Sequence, residues 1–268
     1  MLGDTLGRRI ALVLLSIIAL LYGVSQAGAP PSQDPKAVEV DQAMMQAMGG
    51  QEAWNSVHFV RFDFKFTSEG KVVRDNAHLW DRKDGRYRLE RMPKDGKREI
   101  VLFDIGGYER NKQGSAYVDG KKLEGDAAKK SLEEAYASYI NDTWWLAMPW
   151  KWTQPGVNLK YLAAQPCGKG TCDVVELTFG HVGLTPGDMY HAFVSQKSHL
   201  MSHWEYVLQD GRKGSWDWQY VTSEGINLAS NHLSSDRKST INMGEVRVLD
   251  SVDDAYFTDP ARMISGLK

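Results

Sequence analysis

The chain has 268 residues, is 42% hydrophobic, 10% aromatic and 25% charged, and carries a formal net charge of -2. These proportions describe a folded globular chain and exclude collagen, a coiled coil, a disordered tail and a many-span membrane protein. Lys and Arg number 32 against 34 Asp and Glu, and no run of five like charges occurs, so nucleic acid finds no basic footprint here.

The first residues read as an export signal. Arg8-Arg9 precede an apolar stretch from Ile10 to Val24, and Ser25-Gln26-Ala27 supply a small-x-small cleavage site. The stretch falls short of the ~20 apolar residues that a spanning helix needs, so cleavage near Ala27 is expected rather than an uncleaved inner-membrane anchor. General secretion to the periplasm follows, and residues 1–27 are set aside as signal peptide.

A Pro-rich linker, 28–34, leads to one domain over 35–268. Asp34-Pro35 offers an N-cap and a proline for the first helical turn. Ala37, Val40, Met44, Ala47 and Met48 then recur at helical spacing until Gly49-Gly50 ends the run. From Val57 the period changes to two, with Val60, Phe62, Phe64 and Phe66 alternating with Arg61, Asp63 and Lys65. Turn signals at Glu69-Gly70, Asp84-Gly85, Asp95-Gly96, Gly106-Gly107 and Asp119-Gly120 predict an antiparallel meander.

A second helix is predicted over Leu123 to Ile140, with Leu132, Ala135, Tyr136, Tyr139 and Ile140 on one stripe. Alternating segments resume at Asn158 and continue to Leu249, giving about eleven strands in all. The fold class expected is α+β and β-dominated: an antiparallel, half-open barrel with helices as a lid.

Cys167 and Cys172 bracket a Gly-Lys-Gly turn, and in an oxidising compartment such a pair forms a disulfide. A redox pair has two intervening residues, and no second Cys/His pair completes a zinc site. His199 and His203 would share a helix face, but on a strand they stand ~13 Å apart. Neither a metal nor a cofactor is expected.

Esterase elbows, zinc-protease pairs, EF-hand loops and phosphate-binding loops are absent from the sequence. The densest unusual stretch is Trp144 to Trp152, which holds Trp144, Trp145, Trp150, Trp152, Met148 and the cation Lys151. It reads as a lid or crossover packed on the sheet, and equally as an apolar ligand site where Lys151 meets an anionic head group.

Met48-Gly49-Gly50-Gln51-Glu52-Ala53-Trp54, Asn141-Asp142-Thr143-Trp144-Trp145-Leu146, Pro149-Trp150-Lys151, Pro155-Gly156-Val157 and Val182-Gly183-Leu184-Thr185-Pro186-Gly187-Asp188 resemble an exported bacterial branch, without established activity, of the LolA/LolB-like superfamily of lipoprotein-localisation carriers. Leu79 to Arg88 is similar to the carriers' strand-turn-strand segment, with Asp84 where they have proline and their basic residue falling on Arg82 or Lys83. The resemblance implies an incomplete barrel around an apolar cavity covered by helices.

A binding protein or carrier, not an enzyme, is therefore expected, taking an apolar small molecule, a lipid or a lipoprotein acyl chain, with envelope membrane proteins as further partners. The lining expected is Phe62, Phe64, Trp80, Tyr87, Phe103, Trp145, Met148 and Trp150, with Lys151 and Arg82 as its cations. One alternative is a hydrolase using His78 or His191 with Asp104 or Asp142, which requires hydrogen-bond reach between them. Another is an envelope interaction module, with an exposed apolar patch and no cavity.

Overall fold

The computed structural model describes residues 32–92, 96–180 and 182–267. The expected signal peptide, most of the linker and Asp95 of one predicted turn lie outside the described residues. Helix α1 (Pro35–Ala47) starts as its sequence requires: the Asp34 carboxylate accepts the Lys36 backbone N–H at 2.8 Å, with Pro35 in the first turn. Gly49, at φ +120°, follows it, and a Cβ there would collide with the Gly225 carbonyl oxygen. That close approach seats the helix end, whose Met48 and Ala47 carbonyls accept from the backbone and side-chain nitrogens of Asn227 at 2.9 and 3.1 Å. A short α2 (Gln51–Ser56) leads into the sheet.

The first meander comprises β1 (Phe59–Ser68), β2 (Lys71–Asp81), β3 (Arg86–Arg91), β4 (Glu99–Asp104), β5 (Ser115–Val118) and β6 (Lys121–Lys122). The second comprises β7 (Val157–Cys167), β8 (Gly170–Phe179), β9 (Met189–Ser195), β10 (Met201–Val207), β11 (Lys213–Ser223), β12 (Ile226–Ser234), β13 (Ser239–Asn242) and β14 (Arg247–Leu249). Together they form one 14-stranded sheet in the order β6-β5-β4-β3-β2-β1-β13-β12-β11-β10-β9-β8-β7, with β14 also pairing β1. Neighbouring strands run antiparallel, and the end strands β6 and β7 do not pair, so the sheet is not closed. The half-open, β-dominated architecture is as expected.

The strand count rises from about eleven to 14 for local reasons. β5 and β6 flank the predicted Asp119-Gly120 turn but are too short to be counted from alternation, and the Thr240–Leu249 segment divides at Gly244, whose carbonyl accepts the Asp63 backbone N–H at 2.7 Å. Gly106-Gly107 is not a hairpin turn but part of α3 (Ile105–Asn111), because the Asp104 carboxylate accepts the Gly107 N–H at 2.5 Å and caps a helix there. The free edge of β7 is covered by Ser32 to Asp34, whose backbone exchanges hydrogen bonds with Leu159 at 2.9 and 3.0 Å. Cys167 and Cys172 form the expected disulfide at the tip of the β7–β8 hairpin, Cα atoms 5.7 Å apart.

Helix α4 (Gly125–Ala147) runs seven residues beyond the predicted end at Ile140, through Trp144 and Trp145. It stops because the next donor in its ladder, for the Trp145 carbonyl, would be the N–H that Pro149 lacks. The chain tightens into a 3-10 turn, Met148–Lys151, and the Trp145 carbonyl instead accepts from His232 Nε2 of β12 at 3.0 Å. Burial lowers the His232 pKa to about 3, so the ring is neutral and donates through this nitrogen.

The period of two sets the faces. Val60, Phe62 and Phe64 pair with Trp80, His78 and Asn76 on the face that α1 and α4 cover, where most of the core lies. Tyr87, Leu89, Val101 and Phe103 form a second cluster under Leu132 and Ala135 of α4. On the opposite face Phe59 and Leu79 pack under Phe257 and Ile264 of a C-terminal segment that includes α5 (Ala255–Thr258). Arg88, wholly buried, holds this segment by donating to the carbonyls of Tyr256, Asp259 and Arg262.

Candidate ligand cavity

A cavity of about 1130 Å³ lies between the second half of α4, the first residues of β2 and strands β8 to β10. Its floor is aromatic. Trp145 meets Trp204 edge-on at 4.7 Å between centroids, Tyr190 stacks on Trp204 at 4.7 Å, and Trp144 meets Phe179 at 5.5 Å. These rings come together because β9 and β10 alternate: Tyr190 pairs with Tyr206, and Trp204 with Ala192, all facing the helix. At the rim stand Val72, Met92 and Leu184, which are 56%, 60% and 39% exposed, so apolar surface continues from the interior to the mouth.

Of the residues expected to line such a site, Trp145 and Lys151 do so. Trp80 and Arg82 line a second cavity of about 440 Å³, and Tyr139 borders both. Phe62, Phe64, Tyr87, Phe103, Met148 and Trp150 are packed in the core and border neither cavity. Phe62, Phe64, Tyr87 and Phe103 hold the inward phase of strands whose core clusters include residues of α1 and α4, and Met148 and Trp150 lie in the turn after α4 and pack into the same core. Tyr190, Tyr206, Phe179 and the rim residues were not anticipated, although alternation along β9 and β10 carries a signal for the first two.

Lys151 follows the turn that Pro149 enforces. Its Nζ hydrogen-bonds the Thr143 hydroxyl at 2.9 Å and lies 6.0 and 5.9 Å from the ring centroids of Trp80 and Trp144. Part of the side chain still meets the cavity, yet burial first and the Arg82 charge second lower its pKa to about 7. Arg82 lies 3.6 Å above the Trp54 ring and donates to the carbonyls of Trp54 and Val57 at 2.6 and 2.9 Å. Burial lowers its pKa to about 10.

Beneath the cavity wall the structure brings His78 and Asp142 together, 3.0 Å apart. The Asp142 carboxylate, wholly buried within α4, also accepts from Asn76 at 2.8 Å, Asn141 at 2.8 Å and Arg74 at 3.2 Å. Arg74, Asn76 and His78 are successive inward positions of β2, so one helix carboxylate meets three side chains two residues apart. His78 Nδ1 faces the Tyr87 hydroxyl at 2.9 Å, and the ring stacks on Phe62 at 4.4 Å. Burial lowers the His78 pKa and raises that of Tyr87 well above its ordinary value.

This cluster has the reach that acid-base chemistry needs but no access. His78, Tyr87 and Asp142 are each at most 1% exposed, and none borders the cavity. Their partners are one another, so the arrangement fastens α4 to the sheet rather than presenting a base to a ligand. The other pairings considered do not arise: His191 faces Glu176 at 3.3 Å, and Asp104 caps α3.

His58, Asp81 and Asp84 could place three ligand atoms close together. Asp81 is already engaged by Arg86 at 2.6 Å, which puts a cation where a metal would sit. Among the described residues, no helix is long and apolar enough to cross a membrane.

No known family model and no curated protein matches the sequence. Solved structures with a similar chain path include a DUF1329 family protein of Desulfovibrio piger, 12% identical, covering 85% of this chain and 99% of that one at a TM-score of 0.47. A LolA superfamily protein of Nitrosomonas europaea is 11% identical over 81% of this chain and 96% of its own, with a TM-score of 0.46. A domain assigned to outer membrane lipoprotein sorting, from Vibrio parahaemolyticus, is 8% identical over 83% and 96%, with a TM-score of 0.45.

Proposed function

We propose that this chain is an exported, non-enzymatic carrier that holds an apolar ligand, a lipid or a lipoprotein acyl chain, in the periplasm. The observation that carries this reading is the cavity of about 1130 Å³, floored by aromatic rings and continuous with exposed Val72, Met92 and Leu184. Ligand sites typically span ~300–1,000 Å³; this one is slightly larger and sets its aromatic floor among polar and charged side chains. Envelope membranes or membrane proteins are the partners such cargo implies.

The test is native mass spectrometry with organic extraction on protein purified from the periplasmic fraction without detergent. A discrete lipid or lipopeptide at fixed stoichiometry supports the reading. An empty protein that also takes up no added fatty acid or lipopeptide defeats it.

A further inference from the structure

Among the described residues four cations line the cavity, and three of them face a carboxylate. Arg74 faces Asp142 at 3.2 Å, Arg91 faces Glu99 and Glu134 at 2.6 and 2.9 Å, and Arg212 faces Asp210 at 2.6 Å. Asp188, the buried acid of the lining, accepts from Thr185, Tyr190 and the Gln209 backbone at 2.6, 3.2 and 2.9 Å. Lys151 has no carboxylate partner among the described residues. Its hydrogen bond goes to a neutral hydroxyl, and the charge it feels is a second cation, Arg82.

An unpaired cation withdrawn from water is costly, and folded chains normally pair it or leave it exposed. The faces of Trp80 and Trp144 attract the ammonium but bring no negative charge. Close by, the indole N–H of Trp144 is buried and without an acceptor among the described residues. A cation without a carboxylate and an indole N–H without an acceptor, beside the aromatic floor of the cavity, fit a ligand that brings a negative acceptor with it.

We propose that the cargo is an anionic amphiphile whose carboxylate or phosphate head pairs with Lys151 while its tail lies along Trp145, Tyr190 and Trp204. The assignment rests on the carrier reading above. It separates this ligand from a neutral lipid of equal length, since an uncharged head leaves Lys151 as it is.

The experiment is isothermal titration of the purified protein at pH 7 with dodecanoate, dodecyl phosphate, dodecanol and dodecyltrimethylammonium, each as monomers below micelle formation. At least one anionic probe should bind about tenfold or more tightly than dodecanol, a difference of about 1.4 kcal/mol, and the ammonium probe should bind weakest. The stronger of the two anions tells an acyl carboxylate from a phosphate ester. In Lys151→Met, and in Lys151→Gln as a polar control, the ratio of anionic-probe to dodecanol affinity should fall to about one. Wild-type protein that does not distinguish the anions from dodecanol, or variants that keep the preference, overturn the head-group assignment and leave the carrier reading in place. Failure of all four probes to bind overturns both.

Discussion

Asp142 is the place where one substitution should most loosen the middle of α4 on the sheet. In Asp142→Ala the carboxylate that meets Arg74, Asn76 and His78 disappears, leaving a cation and an amide at the cavity wall and a wholly buried ring without this acceptor. Breaking a buried charge pair by removing one partner costs about 3–5 kcal/mol, and nothing in the substitution offsets the three orphaned donors. For a chain of this size each kcal/mol lowers Tm by roughly 2–4 °C, so a fall of about 10 °C is expected. The sign with pH is fixed by two groups. Burial alone would raise the Asp142 pKa, but Arg74, His78 and Asn141 outweigh it and hold it below 3.8, so its contribution is present above the unfolded pKa and lost as pH falls through the folded one. His78, held neutral by burial, has its pKa below 6.5, so the unfolded chain takes up that proton first and stability again falls in acid. Urea unfolding at pH 7 and pH 4 measures both effects. The wild type should lose stability between these pH values chiefly through His78, and the variant should lose at least as much, because Asp142 raises the His78 pKa and its own contribution is lost only below pH 3.8. A cost below about 1 kcal/mol at pH 7 would refute the view that this buried cluster fastens the helix.

Asp41, on the buried face of α1 and with one carboxylate oxygen lacking a donor among the described residues, has its pKa pushed by burial from 3.8 to about 7. Below pH 3.8 Asp41→Asn and wild type should be matched in how they respond to acid. As pH rises the unfolded chain ionises first, and the variant should gain up to roughly 4 kcal/mol over wild type by pH 8, read from thermal unfolding across pH. Reducing the Cys167–Cys172 disulfide should cost about 2 kcal/mol, because it closes a short loop, and should be seen as a lower Tm in dithiothreitol. Trp145→Ala should cost about 3–5 kcal/mol in urea, since the ring packs on Trp204, Trp216 and His232, and should weaken uptake of any apolar probe.

What the sequence discloses here depends on how locally each feature is determined. The capped start of α1, the alternation of β1 and the cysteine-bracketed turn need only near neighbours, and each is found in place. Gly106-Gly107 misleads because the same two residues serve a hairpin or, with Asp104 behind them, a helix start, and the carboxylate decides. The end of α4 is legible in retrospect at Pro149, but aromatic density over Trp144 to Trp152 masks helical periodicity. The site divides in the same way. Trp145 and Lys151 stand out by composition, whereas Phe62, Phe64 and Tyr87 share the apolar phase of true lining residues, and only the position of the helices tells core from cavity. His78 and Asp142 lie far apart in sequence, and their pairing is set by the register of β2 beneath α4.

Helix α4 is held at three separate points, and this bears on how the cavity works. Its first half packs through Leu132 and Ala135 on the Tyr87 cluster, its middle is fixed by Asp142, and its last turn is tied to β12 by His232 at the Trp145 carbonyl. The fixed points lie on the β3–β4 cluster, on β2 and on β12, so the helix wall of the cavity is set before any ligand arrives, and little ordering of it remains to be done on binding. A preformed apolar cavity binds most tightly what complements its few polar groups, since the apolar contacts discriminate poorly between one chain and another. With Arg74, Arg91 and Arg212 already satisfied, Lys151 is the cation at the lining left to make that choice among the described residues.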